Sequence, residues 1–321
     1  MPGRSSRGDT LRPLATLAFV LVVATLCSPR PAGVPLFWQP ENLSNMLRQI
    51  SDIGILAVGM TVVIVGGGID LSMGSLLALS CTLFAHVFTT QTAWWSPAAA
   101  ATLAIGICAG IGVLSGTVIT HLRLQPFIVT LAAMIGARGL ARWWVDNSTI
   151  AVGYDERTRP LVEFAGQKAV VVPAFLAVAL AGFVLLRFTR FGRYVAAVGG
   201  SEETARLSGL PVASVKIRAY AFSGLVAGIA GVLYCCETHQ GDPKAGMAYE
   251  LDAIAAAVIG GTRLAGGRGG IPGTLVGALV LGIVSNVLGL NNVDENVQWM
   301  LKAGIIVAAV WLQRLGSTER N

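Results

Sequence analysis

Charge is scarce in this chain, and so is any machinery for making or breaking covalent bonds. Charged residues are 12% of the sequence against 54% hydrophobic residues, where a soluble domain carries roughly 25% charge. That balance excludes an ordinary water-soluble fold along most of the length. No G-x-x-x-x-G-K-[ST] sequence occurs: Gly266-Gly267-Arg268-Gly269-Gly270 is rich in glycine but lacks the lysine and the following hydroxyl. ATP hydrolysis, if the chain depends on it, therefore belongs to another polypeptide. No nucleophile is accompanied by a recognisable base and orienting group. The five cysteines lack the two-plus-two spacing of a metal site. Cys27, Cys81 and Cys108 fall in apolar runs as small hydrophobes, and Cys235-Cys236 reads as a pair of small residues near a span end. The net charge of +6 follows from where basic residues flank apolar runs, so it does not imply nucleic-acid binding.

What the chain has in abundance is apolar length. A membrane span needs about 20 such residues. Candidates lie at 13–29, 50–66, 69–90, 95–120, 124–145, 169–188, 217–236, 251–262, 271–290 and 297–313, about ten in all. The expected fold is all-α and polytopic, with some segments interrupted by glycine. Placing the N-terminus in the cytoplasm puts about twice as many Lys and Arg residues inside as outside. On that reading both termini and the charged segment Arg187–Arg218 are cytoplasmic, while 146–168 and 237–250 lie outside. Arg4, Arg7 and Arg12 precede the first apolar run, which reads as a retained span rather than a cleaved signal peptide.

The charged segment contains a short helix with both ends marked. Ser201 is an N-cap, and Glu202 and Glu203 fall in the first turn, where negative charge complements the helix dipole. Gly209 supplies a left-handed C-cap, Leu210 an apolar closing contact, and Pro211 a stop. Ala205 and Gly209 permit close approach of a partner. Such a self-terminating surface helix suits a segment that another protein must grip.

Two apolar regions are broken by glycine. Val65-Gly66-Gly67-Gly68-Ile69-Asp70-Leu71-Ser72-Met73-Gly74-Ser75 places a carboxylate where Asp70 or Ser72 can cap a new helix. The segment from Glu250 to Gly261 is too short to cross unaided and runs into Gly266, Gly267, Gly269 and Gly270. Interrupted segments in both halves of a membrane protein point to a transport path, because irregular backbone at that depth must be buried or line a cavity. Candidate polar groups for the path or its gate are Thr61, Asp70, Ser72, Ser75 and Asn286; for the hydroxyls, bonding between helices is the competing role. Arg138 and Lys302 lie within spans, where a charge signals function or a side chain reaching for the interface. Asp252 and Asp294 are the candidate partners of Lys302.

Gly59-Met60-Thr61-Val62-Val63-Ile64, followed by Gly67-Gly68-Ile69-Asp70-Leu71-Ser72-Met73-Gly74-Ser75, resembles the signature of permeases from ribose-type ATP-binding-cassette sugar importers. Tyr249-Glu250-Leu251-Asp252-Ala253-Ile254-Ala255 and Gly260-Gly261-Thr262-Arg263-Leu264-Ala265-Gly266-Gly267 are similar to the same family, as are Gly192-Arg193-Tyr194 and Arg206-Leu207-Ser208-Gly209. The resemblance covers roughly residues 40 to 313. It implies a single permease domain over 1–321, in a bacterial inner membrane, with 187–218 as a cytoplasmic coupling loop. It implies three partners: a second permease subunit, a cytoplasmic ATPase holding ATP and Mg, and a periplasmic sugar-binding protein. No cofactor is expected on this chain. Ser201, Glu202, Glu203, Ala205, Gly209, Leu210 and Pro211 would form the ATPase-coupling helix, whose Glu203-Thr204-Ala205-Arg206-Leu207-Ser208-Gly209 departs from the superfamily E-A-A-x-x-x-G by one threonine. An ion-coupled secondary transporter or a channel for small polar solutes is the alternative.

Overall fold

The computed structural model describes residues 7–90 and 96–318. Arg4 and Arg320, which entered the charge asymmetry, lie outside the described residues. Thirteen α-helices account for almost all regular structure among them. Ten follow the expected spans: α1 (Arg7–Cys27), α2 (Pro40–Val65), α3 (Met73–Thr90), α4 (Pro97–His121), α5 (Pro126–Trp144), α7 (Lys168–Phe188), α10 (Val212–Thr238), α11 (Tyr249–Ile259), α12 (Ile271–Leu290) and α13 (Glu295–Thr318). The others are short: α6 (Arg159–Ala165), α8 (Arg190–Gly200) and α9 (Glu202–Leu207). The fold is an all-α polytopic membrane protein. Helices α2, α4, α7, α10 and α12 are each long and apolar enough to cross a bilayer. With 11 residues and a rise of 1.5 Å per residue, α11 covers only about 16 Å.

One difference from the expected boundaries matters. Helix α2 starts at Pro40 instead of residue 50, because its first half carries Glu41, Asn42, Asn45, Arg48, Gln49 and Asp52. A hydropathy window cannot see such a helix, although Pro at its first position and Glu41 in its first turn are good starting signals. The polar half is hidden by neighbours rather than by lipid. In its most apolar window α2 is 83% buried, against 22% for α7. So α2 is the central post, surrounded by α7, α10, α11 and α12.

Close packing of α4 against α10 rests on two small-residue ladders. Gly112 and Gly116 of α4 face Tyr220 and Ile217 of α10, and Gly224 and Gly228 of α10 face Cys108 and Ile105 of α4. A methyl at Gly116 would come 2.7 Å from the Ile217 Cα, and one at Gly228 2.8 Å from the Ile105 Cα. This spacing of four lets two backbones approach where lipid offers no hydrophobic drive for association. At one end of the bundle, β1 (Ile150–Ala151) pairs antiparallel with β2 (Gln240–Gly241), tying the α5–α6 connection to the end of α10. At the other end lies α9.

Candidate coupling and translocation site

Helix α9 has the ends that its sequence specifies. The Ser201 hydroxyl accepts a hydrogen bond from the Thr204 N–H at 3.2 Å. At the other end the Gly209 N–H donates to Arg206 O, and the Leu210 N–H to Ala205 O, with Gly209 at φ +76°. That pair of bonds is the Schellman motif. Glu202 turns back into the protein, pairing with Arg206 at 3.1 Å and with Lys216 of α10. The Lys216 hydrogen bond holds the Glu202 carboxyl below its ordinary range.

Ala205 faces inward, 4% exposed, in an apolar cluster with Val195, Val198, Val212 and Val215. It seats α9 on α8 and α10 and offers no surface to an incoming protein, so of the two residues expected to admit a partner only Gly209 is exposed. The outward face carries Glu203, Thr204, Leu207 and Ser208. Leu207, 83% exposed, is an apolar knob at the tip of a charged segment. Pro211 precedes α10 as its N-cap residue.

Immediately before α9, the end of α8 meets both glycine breaks. The Gly267 N–H donates to Val65 O at 2.9 Å. A methyl on Gly266 would lie 2.6 Å from Gly199 O and 2.9 Å from Gly67 Cα, and one on Gly267 2.8 Å from Gly200 Cα. Gly67, Gly266 and Gly267 also have positive φ, at +79°, +85° and +75°, which side-chain-bearing residues adopt at a cost. Three segments far apart in sequence thus touch backbone to backbone: the end of α2, the end of α8, and the loop after α11. The sequence displays each glycine pair but not their convergence.

Asp70 and Ser72 are each 1% exposed. Asp70 Oδ1 accepts from the Ser72 N–H at 3.0 Å and the Ser72 hydroxyl at 2.6 Å, and Oδ2 accepts from the Ser223 hydroxyl of α10 at 2.6 Å. Ser72 is the residue that opens α3, accepting the Leu76 N–H on its carbonyl. Asp70 therefore holds the cap residue and staples the break to α10. Its acceptors are filled by hydroxyls and an amide, with no basic partner: Arg263 is exposed, and Lys302 pairs with Asp252 at 3.2 Å.

The remaining path candidates do not gather around Asp70. Ser75 is buried within the first turn of α3. The Thr61 hydroxyl donates to Ala57 O and meets the Thr274 hydroxyl of α12 at 2.6 Å. Asn286 forms a reciprocal amide pair with Asn42, at 2.9 and 3.1 Å, joining α12 to the start of α2. Arg138 donates to Pro243 O and Ala245 O, so its guanidinium fastens the connection between β2 and α11. Arg48 and Glu237, which a hydropathy reading assigns to loops, lie within α2 and α10 and form an ion pair at 2.7 Å. Their spacing gave no motif; only the i, i+4 relation of Arg48 to Asp52 was there to be noticed.

Comparison with known proteins bears on what this arrangement serves. Residues 42–310 match the family described as the branched-chain amino acid transport system / permease component. The ribose import permease protein RbsC of Escherichia coli (strain K12) is 41% identical over 301 residues, covering 92% of this chain and 91% of that protein. RbsC of Bacillus subtilis (strain 168) is 38% identical, covering 95% and 92%. The L-arabinose ABC transporter permease protein AraH of Azospirillum brasilense is 34% identical, covering 100% of this chain and 93% of the relative. With matches of this length and identity, the chain belongs to the family of membrane permease components that includes the ribose and arabinose import permeases.

Proposed function

We propose that this chain is the membrane-spanning subunit of an ATP-driven importer that moves a monosaccharide, or a small sugar-like solute, across a bacterial inner membrane. The family description speaks of branched-chain amino acids, but relatives matching more than nine-tenths of the chain carry ribose or arabinose in their names. A sugar is the better reading. A soluble binding protein would deliver it from the periplasm, and two permease subunits would share the path. The basic asymmetry supports an orientation with α9 and both termini in the cytoplasm, where an ATPase with its own ATP and Mg would grip α9.

The observation that carries the mechanism is the backbone contact between the end of α8 and the two glycine breaks. A pull on α9 has no flexible linker in which to dissipate. It acts on Gly199 and Gly200, and through them on Gly67 and on Gly266–Gly267. Closing and opening of an ATPase dimer would thereby bias the bundle between two arrangements, which is transport as a population shift.

Leu207 is the residue to test, because it touches little of its own chain. Leu207→Glu should leave the permease folded and its unfolding temperature within about 1 °C of the unmodified protein, as expected for an exposed position. The same change should abolish ATPase co-purification and sugar uptake; normal uptake by this variant would refute the docking role. The orientation has a separate check. A cysteine replacing Ser208 should react with an impermeant thiol reagent only after the cells are opened, and labelling of intact cells would reverse the topology.

A further inference from the structure

Near the middle of α2, in the half of the bundle away from α9, lies a second set of ionisable groups. Asp52 is 4% exposed, and its Oδ1 has no hydrogen-bond partner. One turn earlier, Arg48 Nε approaches Glu237 Oε1 of α10 at 2.7 Å without the alignment of a hydrogen bond. The second Glu237 oxygen, Oε2, is also buried without a partner, on a side chain 8% exposed. Asp52 lies within electrostatic range of both Arg48 and Glu237, so one guanidinium serves two carboxylates. Three residues before Glu237, Tyr234 meets Tyr249, the first residue of α11, edge to face with ring centres 6.4 Å apart. Both tyrosines are half-buried and lie within range of Asp52 and Glu237.

Buried carboxylate oxygens without donors are costly, and native structures seldom tolerate them unless something else supplies the donor. Asp70 shows what a purely structural acid looks like in this same protein: both its oxygens are filled. Asp52 and Glu237 are arranged otherwise, with unfilled acceptors and a pair of tyrosine rings within electrostatic range. A metal ion is a poor candidate donor, because among the described residues no group of three His, Cys, Asp or Glu side chains is placed to hold one. A chain of neighbouring hydroxyls fits better. Vicinal O–H groups donate to carboxylates, a guanidinium donates to hydroxyl oxygens, and an aromatic ring covers the C–H face of a pyranose or furanose. An ionisable cluster inside a bundle is also where a functional site is expected first.

We infer that Arg48, Asp52, Tyr234, Glu237 and Tyr249 form a weak binding station for a polyhydroxylated solute, built from α2, α10 and the start of α11. The station rests on the importer reading, since it gives the solute a place to pause between delivery and release.

Saturation-transfer NMR on the full chain in lipid nanodiscs tests the station without any partner protein, using D-ribose and L-arabinose as probes. The unmodified chain should transfer saturation to at least one of them. Asp52→Asn and Glu237→Gln should each weaken that signal about tenfold, the consequence of turning a charge-assisted hydrogen bond into a neutral one. Tyr249→Ala should weaken it by removing the ring, whereas Tyr249→Phe, which keeps the ring, should restore it. In the reconstituted complex, uptake should fall in the same order while the ATPase still co-purifies. No transfer from either sugar to the unmodified chain overturns the station. So does an undiminished signal in both acid variants, or a loss that follows only a fall in unfolding temperature. Failure of the importer reading looks different: the unmodified chain would bind a sugar yet show no ATP-dependent uptake when reconstituted.

Discussion

Between α2 and α3 the chain leaves helical geometry and buries its polar groups, whereas between α11 and α12 it does the same and lets them reach the surface. In the first break Gly67 and Gly68 donate back to Ile64 O and Val63 O, and the Asp70 carboxylate collects three further donors. The second break closes on itself: the Arg263 N–H donates to Arg268 O and the Gly266 N–H to Arg263 O, while Arg263, Leu264, Ala265 and Arg268 are exposed. Side chains anchor the first break to α10. The second is held to α2 by the backbone bond from Gly267 to Val65 and by glycine contacts. Where both interruptions touch the same end of α8, the one with fewer side-chain anchors yields more readily. The loop after α11 is therefore the compliant element, and the Asp70 turn the stiff one.

Blocking the compliant side should have the largest effect. Gly266→Val would place a β-branched residue at φ +85° and against Gly199 O and Gly67 Cα. Strain and overpacking together should cost about 2–5 kcal/mol. Sugar uptake should vanish, and thermal unfolding should move down by several degrees. A Gly266→Val protein that transports normally would show that the three glycine segments need not touch.

The stiff side should respond in proportion to hydrogen bonds lost. Asp70→Ala strands the Ser72 N–H and two hydroxyls, for about 2–3 kcal/mol. Asp70→Asn still accepts from Ser72 and can donate to Ser223, so it should cost about 1 kcal/mol or less and retain most uptake. Parallel measurement of unfolding temperature and uptake for both variants checks this. Equal loss of uptake by Ala and Asn in stable proteins would mean that the carboxylate has a role beyond holding the turn.

The smallest effect belongs to the charges behind α9. The Glu202 carboxyl is held below its ordinary range by Lys216, so it contributes stability above the unfolded-state value, and that contribution is lost as the pH falls through the lowered folded value. Since 43% of its side chain is exposed, screening leaves only a few tenths of a kcal/mol. Amide protection factors in α9, with exchange taken relative to its intrinsic rate at each pH and compared from about pH 7 to about pH 3, should fall slightly at the acidic end, and Glu202→Gln should flatten that response. No pH dependence in the unmodified protein would remove the Lys216 contact from the stability of the loop.

How much of this was legible beforehand depends on the range of the interactions involved. Caps are local, so Ser201 and Gly209 announced α9 to within a residue. Apolar runs are nearly local, and ten helices stand where ten runs stood. The polar half of α2 was not legible, because Asn42, Arg48 and Asp52 resemble a loop until α10 and α12 surround them. Of the two candidate caps, Asp70 and Ser72, it is Ser72 that opens α3 while Asp70 holds Ser72 in place, and the bond from Asp70 to Ser223 crosses from one helix to another, which no spacing encodes. Thr61 and Asn286 stand out in the sequence as polar residues in apolar company. Each faces a polar partner on a neighbouring helix, a relation a single chain does not display.

The amide pair between Asn42 and Asn286 has a consequence for how the protein is made. Its members stand 244 residues apart, and a ribosome adding about 5–20 residues per second needs roughly 10–50 s to produce the second after the first. Arg48 waits almost as long for Glu237. Through that interval α2 carries an arginine and an aspartate that have each other but not Glu237, and a charge at the centre of a spanning helix costs about 2.5–3.5 kcal/mol. Helix α2, made before α10, is thus among the last to be settled. Nascent chains that stop before α10 should leave it unsheltered, a mark by which a membrane protease can recognise an unfinished copy.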